Sequence, residues 1–362
     1  MQTTLKTKNL KAALATIAPA CMLRGTLPIL SMIKLVATKD SVRVSATDLE
    51  ISISEEVKEA ETKEAGACTV ALQLFSSFLG KITSSSVSLQ LVGSELIVAA
   101  GENESRFETL PAEEFPPELE LKKAVEFTAT LDSFIRPLQR VAFVASTEQA
   151  RYTLNGVSVE AKEKEVFFVA TDGKRFAKIA LPFSAKPFSI IVPNNFVSAI
   201  IRSAAEEPLE VFVTERSLRV VSGTVDIRGQ LIEGNFPNWR QVVPEKKGSK
   251  VFSLNRLDFL EALSVANLFA NKSAPTVQLE GSKKSIVVKC GKQSKTRLLS
   301  AELGGAPSMS IGFNGPWMAQ YMTELSEETV RLHMEDEVSA IMIEEDSLLL
   351  IMMPMRSDCE AN

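Results

Sequence analysis

Residues 10–17, Leu10-Lys11-Ala12-Ala13-Leu14-Ala15-Thr16-Ile17, place apolar side chains at i, i+4 and i+7, the spacing of one helix face. The ladder returns as Phe134, Leu138 and Val141, and again as Phe259, Leu263 and Ala266, at intervals of 124 and 125 residues. A second amphipathic segment follows each, anchored by Phe75, Phe196 and Trp317 at intervals of 121 residues. Alternating hairpins then begin at Val87, Leu209 and Val330, with turns at Val92-Gly93-Ser94-Glu95, Thr214-Glu215-Arg216-Ser217 and Glu335-Asp336-Glu337. Ladders recurring at one interval mark an internal repeat. One third of 362 residues is about 121, so three copies account for the chain.

The spacing predicts domains at 1–123, 124–249 and 250–362, with polar junctions at Leu121-Lys122-Lys123-Ala124 and Glu245-Lys246-Lys247-Gly248-Ser249-Lys250. Each copy reads as strand, helix, strands, helix, strands. This is an α+β unit with two helices on one face of antiparallel sheets, and the helices are expected at 6–18, 71–82, 131–146, 192–205, 254–272 and 312–325.

Composition narrows the function. Hydrophobic residues at 45% and charged residues at 23% are ordinary for a globular chain. The longest apolar run, Leu348 to Met355, is far short of the roughly 20 residues that span a bilayer. Lys6, Lys8 and Lys11 interrupt the apolar residues of the N-terminus, so no signal peptide and a cytoplasmic location without membrane contact are expected. Cysteines at 21, 68, 290 and 359 have neither disulfide-framework nor CxxC spacing, which predicts free buried thiols. His333 is the only histidine, and its alternating surroundings place it on the solvent side of a strand. No metal, no cofactor and no catalytic residue are expected. Asp48 and Asp172 at equivalent repeat positions could suggest an acid and base pair. Their separation into different copies, and the turn-capping habit of Asp, favour a turn role.

The net charge of −5 argues against holding nucleic acid by bulk electrostatics. Its distribution is uneven, with +5 in the six expected helices and −10 elsewhere. Basic helical faces turned toward one axis would surround a polyanion with few close phosphate contacts, giving weak, salt-sensitive binding that permits sliding.

In order along the chain stand Thr26-Leu27-Pro28-Ile29-Leu30, Ala46-Thr47-Asp48-Leu49-Glu50, Arg106-Phe107, Thr109-Leu110-Pro111, Phe115-Pro116, Arg151-Tyr152, Leu154-Asn155-Gly156, Ala170-Thr171-Asp172-Gly173-Lys174-Arg175-Phe176-Ala177, Phe236-Pro237, Ile311-Gly312-Phe313-Asn314 and Met353-Pro354-Met355-Arg356. This ordered set resembles the bacterial DNA polymerase III beta subunit, the replicative sliding clamps, over the full length. The resemblance implies a non-catalytic processivity factor, three clamp domains per chain, and a head-to-tail homodimer closing a ring around double-stranded DNA without sequence preference. It also implies a partner pocket at Arg151, Leu154, Thr171, Gly173, Arg175, Phe176, Pro237, Gln241, Val242, Ile351, Met353, Pro354, Met355 and Arg356, with Arg151 and Arg175 as polar rim. Gln/Leu/Phe-type linear motifs would dock there, from the replicative polymerase alpha subunit, the clamp loader, translesion polymerases, mismatch-repair proteins and ligase. Lys8, Lys11, Arg24, Lys81, Arg136, Tyr152 and Arg202 would face DNA, and Phe107, Asn267 and Leu268 the dimer partner. The chain departs from the family pattern at Thr153, Asn194-Asn195, Gln241 and Asn267-Leu268, which implies weaker duplex contact and a less stable ring. The polar extension Ser357 to Asn362 is placed to cover the pocket mouth.

Overall fold

The structure is a computed structural model that describes all residues except 23–26, 119–120, 122–123, 185, 245–247, 283–284, 300 and 357–362. Arg24, Cys359 and the extension from Ser357 therefore lie outside the described residues. Among those described, six α-helices form where the apolar ladders place them. They are α1 (Thr7–Ile17), α2 (Leu72–Lys81), α3 (Arg136–Ala142, entered through a π-helical turn at Leu131–Ile135), α4 (Asn194–Ser203), α5 (Arg256–Asn267) and α6 (Gly315–Glu324).

The ladder residues Leu10, Leu14, Ile17, Phe134, Leu138, Val141, Phe259, Leu263 and Ala266 are all buried. Each large one stabilises by about 1.5–3 kcal/mol, enough to fix which face turns inward. Local signals set several starts. The Thr130 hydroxyl accepts from the Ser133 amide while the Ser133 hydroxyl accepts from the Thr130 amide, and Asn255 and Asn314 cap α5 and α6. The second-helix anchors Phe75 and Phe196 are buried, but Trp317 is only half-buried. Met318, one position later, takes its place in the core with Tyr321 and Met322.

The chain forms two compact units, Met1–Gln139 with Ala185–Glu233, and Arg140–Ser184 with Gly234–Asn362. These units do not follow the repeat period. In the first unit, one sheet has the order Glu61–Glu64, Gln2–Lys6, Ser86–Val92, Glu95–Ala100, Asn103–Glu108. Its second sheet joins the strands Val125–Ala129, Leu209–Val213, Ser217–Ser222 and Val225–Gln230 to Ile51–Lys58, Ser41–Thr47, Met32–Ala37 and Gly66–Ala71. The seam there sets Gly229 opposite Ile51 and Val225 opposite Glu55. In the second unit, Gly156–Lys162, Glu165–Thr171 and Arg175–Pro182 continue into Leu348–Met352, Ile341–Glu345, Thr329–Met334, Lys250–Asn255 and Ala301–Gly304. Arg175 lies opposite Met352 and Ile179 opposite Leu348 at this second seam. A separate four-stranded sheet runs Ser294–Leu298, Ser285–Cys290, Thr276–Ser282, Ser308–Asn314.

The first seam carries a polar staple. Asp226 receives forked hydrogen bonds from Arg219 (3.0 and 2.8 Å) and from Arg228 (3.0 and 2.7 Å). Glu118 then bridges Arg228 at 3.0 Å and Arg43 at 2.7 Å.

Phe107 does not stand on the surface. It is 4% exposed and packs edge-on against Phe75 and Phe78, with centroids 5.6 and 5.5 Å away. The alternation of its strand points this residue into the core, away from the surface position expected of a contact with a dimer partner. His333 alternates with buried Leu332 and Met334 as the pattern requires, and is half-buried. Cys21, Cys68 and Cys290 form no disulfide; Cys68 and Cys290 are buried as expected, Cys21 only half-buried, and burial pushes the Cys21 and Cys68 thiols up to about 11 and about 12. No helix among the described residues is long and apolar enough to cross a membrane.

Candidate functional site at the second seam

The turn Thr171-Asp172-Gly173-Lys174-Arg175 ties itself together with its own side chains. Asp172 Oδ1 accepts from the Lys174 and Arg175 amides at 2.8 and 2.7 Å, while Thr171 Oγ1 donates to the Arg175 carbonyl and accepts from the Gly173 amide. Gly173 has φ +87, and a side chain there would meet Arg151 Nη1 at 2.8 Å, so glycine suits both the torsion and the close approach. Arg151 is exposed and donates to the Asp172 carbonyl at 3.1 Å.

Arg175 is a pillar rather than a rim. Its side chain is about 10% exposed, with Nε 2.9 Å from Asp172 Oδ2, Nη1 2.8 Å from Gln320 Oε1, and the guanidinium 4.5 Å from the Trp317 ring centre. That contact explains why Trp317 leaves the core. Sequence reasoning missed it because a separation of 142 residues, from 175 to 317, carries no local signal.

Beneath the turn, Phe176 and Ile351 are buried with Val169, Trp239, Met342 and Leu349. The Tyr321 hydroxyl lies 2.8 Å from the Ile351 carbonyl and 3.4 Å from that of Phe176, binding α6 to both strands of the seam. Burial pushes its phenol far above the usual tyrosine range. Leu154 is buried as well. Pro237, Gln241 and Val242 are exposed on the segment around Trp239, whose ring is covered by Arg240 at 4.1 Å, itself paired with Glu160 at 2.9 Å.

The C-terminal segment is fixed by its backbone. The Met353 amide donates to the Lys174 carbonyl at 2.9 Å and the Met355 amide to Gly312 at 2.8 Å. A side chain at Gly312 would meet the Met355 carbonyl at 2.6 Å, which accounts for the glycine of the Ile311-Gly312-Phe313-Asn314 motif. Met353 to Arg356, together with Ser310, Gly312, Glu337 and Val338, line a groove of about 460 Å³. The structure thus brings Thr171, Gly173 and Arg175 together in one turn with Arg151 against it, buries Leu154, Phe176 and Ile351, and places Pro354, Met355 and Arg356 along a groove whose other wall, Val338 and Glu337, was not among the residues expected at the site.

The remaining candidates divide. Lys8, Lys81 and Arg202 are exposed, as is Tyr152. Arg136 is exposed but paired with Asp132 at 2.6 Å. Lys11 is half-buried, donating to the Ile82 carbonyl at 2.9 Å, so it fastens α1 to the end of α2 rather than presenting its charge. Lys6 lies in a strand and Lys272 beyond α5, and Arg140 turns to the buried carboxylate of Glu345 at 3.1 Å. The helical charge surplus is smaller than the sequence estimate for these reasons. Leu268 is 80% exposed, whereas Asn267 faces inward, its Oδ1 against Gly315 and without a hydrogen-bond partner. Asp48, like Asp172, caps its own turn, accepting from Glu50 and Ile51 at 3.0 and 2.6 Å. Among the described residues no group of three His, Cys, Asp or Glu is placed to hold a metal ion.

Family models for the DNA polymerase III beta subunit match residues 1–120 with the N-terminal domain and residues 128–238 with the central domain. The chain belongs to the DNA polymerase III beta-subunit family. A beta sliding clamp from Salmonella typhimurium is 29% identical over 98% of this chain and 100% of its own length, and one from Escherichia coli K12 is 28% identical over the same shares. The crystal structure of the beta subunit from Pseudomonas aeruginosa superposes with a TM-score of 0.90 at 25% identity, covering 99% of this chain and all of that one. A Pseudomonas aeruginosa clamp bound to griselimycin shares the fold, with a TM-score of 0.91 at 24% identity. The beta-subunit family thus accounts for the order of motifs, the repeated helices and the sheet architecture together.

Proposed function

We propose that this chain is a non-catalytic sliding clamp built from three clamp domains, 1–123, 124–249 and 250–362. In this reading it acts in the bacterial cytoplasm as a ring-shaped homodimer around duplex DNA, tethering the replicative polymerase and other DNA-acting proteins through short peptides. The observation that carries this reading is similarity to beta sliding clamps over 98% of this chain and 100% of the relative's length.

Two sheet edges support head-to-tail closure. Asn103–Glu108 carries Glu104 and Glu108 beside Glu102, with its one base, Arg106, paired to Glu95 at 3.4 Å, and Ser294–Leu298 carries Lys295 and Arg297 beside Lys292. Pairing unlike edges of two copies sets acid against base, whereas pairing like edges opposes like charges. Exposed Leu74 on α2 and exposed Leu268 and Phe269 at the end of α5 supply the apolar part.

Retention on circular DNA tests the clamp itself. After assisted loading, protein should stay on a nicked circle and run off once that circle is linearised. Lys8→Glu, Lys81→Glu and Arg202→Glu together should impair loading or retention without unfolding the chain, because all three positions are exposed. Equal loss from circular and linear DNA would sink the reading.

At the second seam, Met353→Ala with Met355→Ala should weaken a Gln-Leu-Ser-Leu-Phe peptide by roughly 1–3 kcal/mol from a micromolar starting affinity, because Met supplies adaptable packing. Calorimetric titration reads it, and unchanged affinity would place partner docking elsewhere.

A further inference from the structure

The first seam repeats the backbone cradle of the second with a different surface. At the second seam the Met353 amide donates to Lys174, the Met355 amide to Gly312 and the Ser146 amide to Leu154. At the first, the Gln230 amide donates to Glu50 at 2.9 Å, the Ile232 amide to Ile191 at 3.0 Å and the Met22 amide to Leu30 at 3.0 Å. Asp48 and Thr47 bind their turn with the same pattern of bonds as Asp172 and Thr171. The correspondence sets Leu49 on Gly173, Leu27 on Arg151, Glu50 on Lys174 and Glu233 on Arg356.

Those four exchanges change the chemistry. Leu49 holds φ +79, a conformation that suits the glycine of the second seam and disfavours leucine, yet its side chain is 46% exposed. Leu27 is 51% exposed. Neither strain nor exposure of an apolar group helps the fold, and strained residues gather where a surface is used. Around them two basic positions of the second seam, Lys174 and Arg356, have become acidic as Glu50 and Glu233, while Arg151 has become the apolar Leu27. Glu50 and Glu233 are both exposed, and Glu233 lies 3.1 Å from Arg216.

We infer that the first seam is a second peptide-docking site, selective for short segments with aliphatic anchors flanked by lysine or arginine. The inference rests on the reading of the second seam as a peptide site, because the shared cradle is what assigns the ligand class. The acidic rim selects basic flanks, so the two seams of one chain sort partners by charge.

Fluorescence anisotropy on the full-length protein tests it with two labelled probes, Lys-Leu-Ser-Leu-Ile-Lys and its twin Glu-Leu-Ser-Leu-Ile-Glu. The basic probe should saturate in the micromolar range and bind about tenfold tighter than the acidic twin. Leu49→Gly and Glu50→Lys should each weaken it by about fivefold or more, while Met353→Ala with Met355→Ala leaves it within about twofold. Leu49→Gly installs the residue that the second seam carries at that torsion, so its unfolding midpoint should not fall. Absent saturation, equal binding of the twins, or weakening by the methionine pair instead of Leu49 and Glu50 variants would overturn the proposal. A Gln-Leu-Ser-Leu-Phe probe run alongside separates the two readings. If the methionine pair leaves that probe unaffected, the second-seam reading fails, whatever the basic probe does at the first.

Discussion

Asp226→Asn is expected to lower the unfolding free energy by about 3 kcal/mol, the low end of what breaking a buried charge pair costs. The Asp226 side chain is 12% exposed and receives the forks of Arg219 and Arg228. Removing its charge leaves two guanidinium groups crowded at the first seam. Arg228 keeps Glu118 at 3.0 Å, which holds the loss below the top of the range. Burial alone would raise the Asp226 carboxyl, but the hydrogen bonds of Arg228 and Arg219 reverse this and hold it below the usual range. A carboxyl lowered in the folded state contributes stability that is complete above its unfolded value, near 4, and is lost as pH falls through the folded value. The gap between wild type and variant should therefore be full at pH 7 and shrink below about pH 4. Urea unfolding followed by far-ultraviolet circular dichroism is the measurement, since both tryptophans, Trp239 and Trp317, lie in the other unit. A variant within about 0.5 kcal/mol of wild type at pH 7 would show that the network is solvated.

Leu268→Asp should convert a dimer of about 79 kDa, twice the 39.5 kDa chain, into folded monomers at micromolar concentration, with an unchanged far-ultraviolet circular dichroism spectrum and an unfolding midpoint that no longer rises with protein concentration. Leu268 has little to lose in the monomer because it is 80% exposed. In the proposed ring it joins Phe269 and the partner's edge strand, and a central apolar anchor of that kind costs about 2–4 kcal/mol when removed. A head-to-tail ring contains the interface twice, so one substitution acts at both. Light scattering after size exclusion reads the mass. A variant that stays dimeric would move the interface away from α5, and a wild type that is monomeric would remove the ring. Changing Phe107 instead would act on the fold, since that ring is packed between Phe75 and Phe78.

The contrast between Leu268 and Phe107 shows where sequence reading stops. The resemblance assigns both to the dimer interface, Phe107 from a shared motif and Leu268 at a departure from the pattern, but a position in an alignment does not say which way its side chain turns. The same holds for Arg175 and Arg151. They are near neighbours of one turn in space, one stacked on Trp317 and nearly buried, the other exposed beside Gly173. Lys11 reads as a charge on a helix face, yet its reach of 71 residues to the Ile82 carbonyl makes it a fastener.

The three helix ladders, the hairpins after them and the turn-capping aspartates were determined by the sequence alone, because each depends on residues within a few positions of one another and on backbone periodicity. Tertiary structure alone decided that continuous sheets join neighbouring copies at two seams, that Trp317 turns from the core to Arg175, and that Val338 and Glu337 wall the groove beside Met355. Those outcomes depend on pairings between segments more than a hundred residues apart or on loops without periodicity, where burial, charge and shape are settled only when distant strands meet.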